Sequence, residues 1–282
     1  MIISIASGKG GTGKTSVAVA LALSLKEPVQ LLDCDVEAPN GHIFMNPRWD
    51  NKETIYAQIP VVDETKCTYC RACSQLCRFK AILVLGETIL TFSEMCHACG
   101  GCFLVCEPKA LNPGKKELGE IEEGWSGAIR FVHGRLRVGE PMSPPLIREV
   151  KKRIKNDALA ILDAPPGTSC PVIQTVKGSD YTILVTEPTP FGLYDLKLAV
   201  AALGSLNIPC GVILNRADIG NNETKGYLRS EGIPLLMEIP FERRIAEGYA
   251  KGQSLVEIRP ELKEEFQKLL LDIKKQTEKI RA

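Results

Sequence analysis

Eight cysteines in two identical frames constrain this sequence more than any other feature. Four of them are spaced C-x2-C-x2-C-x3-C, and four more repeat that spacing 29 residues further along the chain. Three thiolates on one tight loop can hold three corners of a four-iron cluster, while the fourth, on a following helical turn, reaches a second cluster. Two zinc sites with four thiolates each are the alternative, because zinc sites also use C-x2-C units. The frames are Cys67, Cys70, Cys73 and Cys77, then Cys96, Cys99, Cys102 and Cys106.

The doubled frame resembles the bacterial two-cluster ferredoxin domain. This resemblance implies two [4Fe-4S] clusters with crossed ligation, because in this family the fourth cysteine of each frame ligates the other cluster. Arg78 follows Cys77 where the family has proline. After Cys106 the proline is displaced by one position, to Pro108, so the turn after each frame departs from the family pattern. The implied ligand sets are Cys67, Cys70, Cys73 and Cys106 for one cluster, and Cys96, Cys99, Cys102 and Cys77 for the other.

The overall composition favours an ordinary folded protein of a reducing compartment. The chain has 282 residues with 35 Lys and Arg against 34 Asp and Glu, so a formal charge of +1 offers no broad surface for nucleic acid. We expect a cytoplasmic protein that does not associate with membranes, because the start lacks a charged leader and no apolar run is long enough to span a bilayer. Eleven cysteines in such a compartment indicate metal ligation rather than disulfides.

The cysteine-rich segment is expected to be a small insertion in a larger domain. We place the insertion at residues 59–119, between a first domain part at 1–58 and a second at 120–282. A segment of this size builds little core of its own, so its clusters would stabilise it. Apolar residues around Gly86 and Glu87 predict two short strands between the frames. A hairpin is also predicted about residues 133–135, with a connector at 141–145.

A glycine-rich loop near the start predicts a phosphate site. An apolar strand, residues 2–6, leads into a match to G-x-x-x-x-G-K-[ST], and an Ala- and Leu-rich helix follows. Backbone N–H groups of such a loop wrap the phosphates, the lysine neutralises them, and the hydroxyl binds Mg²⁺. Lys14 and Thr15 take these last two roles, which makes ATP and Mg²⁺ the expected cofactors. The loop is Gly8-Lys9-Gly10-Gly11-Thr12-Gly13-Lys14-Thr15.

The second lysine of this loop, Lys9, is a narrower signature. The string K-G-G-T-G-K-T resembles the deviant loop of the MinD and Mrp ATPases and of the nitrogenase iron protein. The resemblance implies ATP-dependent dimerisation, as a homodimer or with a related ATPase, in which Lys9 reaches the nucleotide of the partner. A solvated surface lysine is the alternative for Lys9. The activity implied is ATP hydrolysis that is slow and stimulated by a partner.

Further segments match this ATPase pattern in order. Asp35, in a D-x-D segment after a strand, corresponds to the carboxylate that positions the attacking water, although it could simply cap the strand end. Asp163 corresponds to the Walker B residue near Mg²⁺, and Gly167 to a backbone N–H that senses the γ-phosphate. Asn215 corresponds to the residue that recognises adenine. Alternating strands and helices predict an α/β fold, a doubly wound, mostly parallel P-loop NTPase sheet with a small inserted α+β ferredoxin domain.

Three cysteines lie outside the frames. Cys34 and Cys210 have apolar neighbours and are expected to be core residues. Cys170 precedes Pro171 at a predicted helix start, where a thiol pKa is lowered, so a ligand or redox role stays open beside a structural one.

His133 is not expected to be a ligand. The amphipathic helix at 260–280 is expected to pack on the sheet rather than bind a membrane, because glutamates dilute its positive face.

These features lead to three hypotheses about function. The first is nucleotide-gated electron transfer through the two clusters to an unidentified redox partner. The second is an iron–sulfur carrier or scaffold that hands a cluster to an apo-protein under ATPase control. The third, less favoured, is a positioning ATPase like MinD in which the clusters are structural.

Overall fold

A computed structural model of the chain describes residues 1–281 and contains eleven strands and eleven α-helices within that range. The strands are β1 (Ile2–Ala6), β2 (Val29–Asp33), β3 (Arg48–Val62), β4 (Ile82–Leu85), β5 (Thr88–Thr91), β6 (Leu111–Ser126), β7 (Ile129–Leu136), β8 (Leu159–Asp163), β9 (Tyr181–Thr186), β10 (Cys210–Asn215) and β11 (Leu235–Ile239). The helices are α1 (Lys14–Ser24), α2 (Gly41–Met45), α3 (Ala72–Leu76), α4 (Gly101–Leu104), α5 (Pro144–Lys151), α6 (Cys170–Val176), α7 (Pro190–Ser205), α8 (Glu223–Ser230), α9 (Arg243–Tyr249), α10 (Leu255–Ile258) and α11 (Leu262–Arg281).

A nine-stranded sheet with the order β11-β10-β9-β1-β8-β2-β7-β6-β3 organises the fold. The pairings along the row from β11 to β7 are parallel. Strands β2, β8 and β9 are buried along their whole length, as expected when both faces of a parallel sheet are covered. The predicted α/β fold with a large, mostly parallel sheet is confirmed.

The carboxyl ends of β1, β2 and β8 bring the functional segments to one edge. Ile5 of β1 and Asp33 of β2 both pair in register with Asp163 of β8. Because the strands are parallel, the loops that follow them leave the sheet at the same edge, where ligands of such sheets bind. The phosphate loop after β1 and the acidic segments after β2 and β8 therefore lie together.

The chain divides into two compact units. The first comprises Met1–Lys52, Ile121–Arg135 and the described chain from Ile147 onward, and the second comprises Glu53–Glu120 and Leu136–Leu146. These bounds differ from the expected insertion at 59–119, because strands β3, β6 and β7 and helix α5 each begin in one unit and end in the other. The second unit contains the two cysteine frames.

The C-terminal helix α11 contributes a buried stripe to the core of the first unit. Phe266 and Ile273 are fully buried, and Leu262, Leu269 and Leu270 are at most 4% exposed. They belong to the same apolar cluster as residues of α1 and of the central strands. The prediction that this helix packs on the core is therefore confirmed. Among the described residues, none of the helices is both long and apolar enough to cross a bilayer.

Replacing Phe266 by alanine should lower the free energy of unfolding of the first unit by about 3–5 kcal/mol, since it removes a buried aromatic ring and leaves a cavity. Leu271 lies on the same helix but is 56% exposed, so Leu271→Ala should change the free energy of unfolding by less than about 0.5 kcal/mol. Urea unfolding followed by circular dichroism measures both. Equal losses in the two variants would contradict the packing described for α11.

The turn between β6 and β7 forms at a different place from the one predicted. The sequence suggested a turn at residues 133–135, but β7 continues through them to Leu136. The turn lies instead between β6 and β7, where Gly127 has a φ of +58°. A left-handed residue in a two-residue connection is what a tight hairpin requires. The predicted hairpin within the second unit is confirmed, because β4 and β5 pair antiparallel about Gly86.

Candidate functional site

The loop between β1 and α1 has the backbone that phosphate binding requires. Gly11 and Gly13 lie in the left-handed region, with φ of +78° and +94°, where glycine is free of the strain a side chain would bring. A Cβ on Gly13 would stand 2.7 Å from Nδ2 of Asn215. Lys14 begins α1 and is 7% exposed. The unpaired N–H groups of a helix N-terminus, together with a lysine, form a site for an anion.

The hydroxyl of Thr15 and the carboxylate of Asp163 meet beside this loop. Thr15 Oγ1 donates a hydrogen bond of 2.6 Å to Asp163 Oδ2. The buried Asp163 Oδ1 has no hydrogen-bond partner within the described chain, and burial raises the pKa of this carboxyl group to about 7. A hydroxyl and an unsatisfied carboxylate oxygen are the hard oxygen donors that Mg²⁺ takes, directly or through water. The residues present therefore fit Mg²⁺ bound with nucleotide.

Asp33 organises the acidic segment after β2. Its Oδ1 accepts a hydrogen bond from the backbone N–H of Asp35, and its Oδ2 accepts from those of Asn40 and Gly41. Burial raises the pKa of Asp33 well above its usual value, and the nearby Asp163 raises it further. Sequence reasoning assigned a role only to the second carboxylate of the D-x-D segment. The first carboxylate, Asp33, closes the loop that carries Asp35 by accepting hydrogen bonds from residues at both ends of that loop.

Asp35 lies on the wall of a cleft of about 1230 Å³, counting its solvent-open part. Burial raises the pKa of this carboxyl group, and the ammonium of Lys14 opposes that shift. Asp35 thus lines the same cleft as the phosphate loop, and its role in positioning water stays a prediction. The cleft is lined by Gly10, Gly11, Gly13, Lys14, Thr15, Ser16, Val17, Asp35, Asn40, Pro166, Asn215, Arg216, Ile239, Pro240, Phe241, Glu242, Ile245, Ala246, Tyr249 and Leu255.

Asn215 lies on this cleft wall but its amide already supports the phosphate loop. Nδ2 donates to the carbonyl of Thr12 over 2.9 Å, and Oδ1 accepts from the N–H of Arg216 over 3.0 Å. An amide nitrogen carries two N–H groups, so the bond to Thr12 leaves one for another acceptor. Recognition of adenine by Asn215 stays a prediction, and its contact with Thr12 was not foreseen.

Gly167 and Lys9 are among the predicted residues that do not line the cleft. The N–H of Gly167 donates to the carbonyl of Ser7 over 3.0 Å, although its φ of +98° shows why glycine stands there. Lys9 directs its Nζ to Glu187 Oε2 at 3.2 Å. Lys9 is part of the phosphate loop, and Gly167 is bonded to Ser7 just before it. The predicted contacts of both residues with phosphate stay predictions.

Four thiols line a pocket in the second unit. Cys67, Cys70, Cys73 and Cys106 border a space of about 330 Å³ together with apolar side chains. The N–H of Ala110 donates to Cys106 Sγ over 3.2 Å, as happens to cluster thiolates, and burial raises the pKa of the Cys73 thiol. These four cysteines are one of the two crossed sets expected, so the donor set fits a four-iron cluster.

The two cysteine frames also share one backbone conformation. Each frame has left-handed residues at equivalent positions, followed by a short helix that begins 29 residues after its counterpart, at Ala72 and at Gly101. Equal spacing and equal conformation indicate two copies of one backbone motif. The left-handed pairs are Tyr69 and Ala98, Arg71 and Gly100, and Lys80 and Lys109.

The thiols of the second frame cluster as well. Burial raises the pKa of Cys102 to about 11, with the neighbouring Cys96 and Cys99 adding to the shift. Cys77, Cys102 and Cys106 pack against one apolar cluster, whose buried members include Cys73. All eleven cysteines are free thiols. Within residues 1–281 no three His, Cys, Asp or Glu side chains converge closely enough to hold a single metal ion.

The three cysteines outside the frames and His133 differ in their burial. Cys34 is buried and Cys210 is partly buried, and burial raises the thiol pKa of both. Cys170 is exposed at the start of α6. The ring of His133 is fully buried, with Nε2 at 2.8 Å from Glu122 Oε2.

Comparison with known proteins agrees with the geometry of the first unit. The family described as the CobQ/CobB/MinD/ParA nucleotide binding domain matches residues 3–256. An uncharacterized protein of Methanocaldococcus jannaschii is 34% identical over 275 residues, covering 95% of this chain and 96% of that protein. An iron-sulfur cluster carrier protein of Aquifex aeolicus is 26% identical over 294 residues, and the alignment covers 97% of this chain and 66% of that protein.

A solved structure shows the same fold. The septum site-determining protein MinD from Pyrococcus horikoshii, complexed with Mg-ADP, has a TM-score of 0.58 at 23% identity, covering 95% of this chain and 93% of that one. The family match includes the phosphate loop, the acidic segment after β2 and Asp163 at the end of β8. The chain therefore belongs to the CobQ/CobB/MinD/ParA family of P-loop ATPases.

Proposed function

We propose that this protein carries an iron–sulfur cluster on a ferredoxin-like insertion, residues 59–119, and delivers it to apo-proteins under the control of ATP. The observation that carries the proposal is the pocket lined by four thiols, in a chain that also has a P-loop cleft. Relatives over most of the chain support it, because proteins of Aquifex aeolicus and Pyrococcus horikoshii at 26% and 24% identity are named iron-sulfur cluster carriers.

The nucleotide half of the proposed cycle follows from the chemistry of the cleft. ATP supplies the phosphoanhydride bond, and Mg²⁺ neutralises its charge. Lys14 and the backbone of the phosphate loop bind the phosphates, and Thr15 and Asp163 hold the metal's oxygen shell. Asp35, held by the Asp33 hydrogen bond to its N–H, orients water for attack. Two copies of the chain, or this chain and a related ATPase, would close about the nucleotide with the help of Lys9, and a client protein would accelerate slow hydrolysis.

In the part of the proposed cycle that involves the cysteines, the two crossed thiol sets would hold two [4Fe-4S] clusters. A cluster that stays bound would carry one electron, and a cluster that is transferred would be the cargo. Cys70 and Cys99 are exposed, so one ligand of each set is accessible to a thiol of a recipient. Thiolate exchange at an accessible ligand is the step a carrier needs. Cys73 is buried and would retain its ligand bond until the end of transfer.

A second candidate function is nucleotide-gated electron transfer. It is favoured by a different observation, namely that cysteines of both frames pack against a single apolar cluster. Two resident clusters held by one small core would exchange electrons with each other, as in a ferredoxin. In that case the clusters stay bound while nucleotide changes their reduction potentials.

Cluster transfer to an apo-ferredoxin under anaerobic conditions distinguishes these functions. We expect transfer from the loaded full chain to become at least about fivefold faster with MgATP than without it, a coupling within the range usual between two sites. Lys14→Ala should lose that dependence and keep the basal rate. Retention of both clusters, with a reduction potential that shifts on addition of MgATP, would overturn the carrier function and support electron transfer.

A further inference from the structure

A carboxylate between two cations lies next to the phosphate loop. Glu187 follows β9, and its Oε2 is 3.2 Å from Nζ of Lys9 while its Oε1 is 2.7 Å from Nη1 of Arg216. The two cations come from loops that follow β1 and β10, the neighbours of β9 in the sheet. Glu187 therefore connects three loops at the edge where nucleotide binds.

The backbone on both sides of this contact is fixed. The carbonyl of Glu187 accepts a hydrogen bond of 2.8 Å from the N–H of Thr189, and Thr189 Oγ1 caps α7 by accepting from the N–H of Gly192 over 3.0 Å. On the other side, Ser7 Oγ donates to the carbonyl of Lys9 over 2.5 Å. These hydrogen bonds hold the backbone at both residues, so rotation of the flexible Lys9 side chain is the simplest way for the ion pair to open.

The three side chains differ in their access to solvent. The side chain of Glu187 is 10% exposed, whereas those of Lys9 and Arg216 are 32% and 46% exposed. Arg216 lines the nucleotide cleft and has a strained φ of +53°. A nearly buried carboxylate thus sits beside a cleft built for polyphosphate, where its negative charge opposes the ligand. Lys9 Nζ lies within ion-pair distance of Glu187 Oε2, and Lys9 is not among the residues that line the cleft.

We propose that Glu187 is a counter-ion that competes with nucleotide phosphates for the ammonium of Lys9 and thereby weakens nucleotide binding. The inference rests on the nucleotide-binding part of the proposed function. The phosphates belong either to a nucleotide in the same chain or to one held by a second copy. In either case Lys9 exchanges one anionic partner for another, while Arg216 stays with Glu187 and keeps the buried carboxylate paired.

Titration of the anaerobically prepared full chain with MgATP and with adenosine tests this competition. Glu187→Gln should tighten MgATP binding about threefold to tenfold, since it removes both the competing ion pair and a like charge. Binding of adenosine, which has no phosphate, should not change. In a Lys9→Gln background the gain from Glu187→Gln should fall by half or more. Glu187→Asp, which keeps the charge on a shorter side chain, should give an intermediate gain.

The control is an ion pair of similar geometry away from the cleft. Lys274 Nζ lies 2.6 Å from Glu27 Oε1, and Glu27→Gln should leave MgATP binding unchanged. Titrations below and above the concentration at which the chain dimerises separate the two sources of phosphate, because a gain seen only in the dimer assigns the nucleotide to the partner copy.

The inference is overturned if folded Glu187→Gln and Glu187→Asp bind MgATP no more tightly than the unsubstituted chain, if adenosine binding tightens equally, or if the gain persists undiminished without Lys9. The proposed function fails separately. A chain that binds MgATP with the expected dependence on Glu187 but transfers no cluster keeps the counter-ion role and loses the carrier role. A chain that binds no MgATP loses both.

Discussion

Lys14→Ala is expected to reduce ATP hydrolysis at least about 100-fold in kcat/KM, the effect usual for removing a preorganised charge that faces the transferred phosphate. Lys14 begins α1 and is 7% exposed. Its ammonium opposes the upward pKa shifts of both Asp35 and Asp163, so it lies near both carboxylates. Without it, phosphates would enter a cleft whose nearest fixed charges are negative. A steady-state assay of phosphate release measures the loss.

The matched control for Lys14 is Lys26, an exposed lysine just beyond the other end of α1. Lys26→Ala should hydrolyse ATP at the unsubstituted rate, and circular dichroism should show both variants folded. A Lys14→Ala protein with normal hydrolysis would show that the activity arises elsewhere than at the phosphate loop. The assignment of every cleft residue to nucleotide chemistry would then fail with it.

The parts of the fold and site that follow from local sequence were predictable. The apolar run at residues 2–6 predicts β1 with the bounds that the structure gives it, because a continuous apolar run is typical of a strand buried on both faces. The phosphate loop is predictable because its conformation is local: Gly11 and Gly13 have positive φ, a conformation that favours glycine.

Contacts between distant loops were not predictable in the same way. Glu187 pairs with Lys9 across 178 residues of sequence, and no local sequence pattern at either residue predicts this ion pair. The role of Asp33 is not predictable from the sequence, because its hydrogen bonds to Asn40 and Gly41 depend on how the loop folds back. The misplaced hairpin has a similar cause, since Gly134 resembled a turn residue while Gly127 adopts the left-handed conformation.

Crossed ligation of the clusters gives the second large effect, and pairs of serine substitutions test it. Cys67 and Cys106 line one pocket, so Cys67→Ser with Cys106→Ser should abolish one cluster and leave about four of about eight iron atoms. Cys67→Ser with Cys77→Ser removes a ligand from each set and should leave almost none. Iron analysis and electron paramagnetic resonance of the reduced proteins measure the difference.

Which of the two double variants retains more iron distinguishes crossed ligation from a scheme in which each frame holds its own cluster with the same eight thiols. If each frame held its own cluster, the pair at Cys67 and Cys77 would keep half the iron and the pair at Cys67 and Cys106 would lose nearly all of it. Cys210→Ala, which alters a partly buried thiol outside the frames, should keep the full iron content in either scheme. Stoichiometric zinc in place of iron would reject both schemes. Crossed ligation would also mean that loss of either cluster loosens both frames, because each set joins residues from the two halves of the repeat.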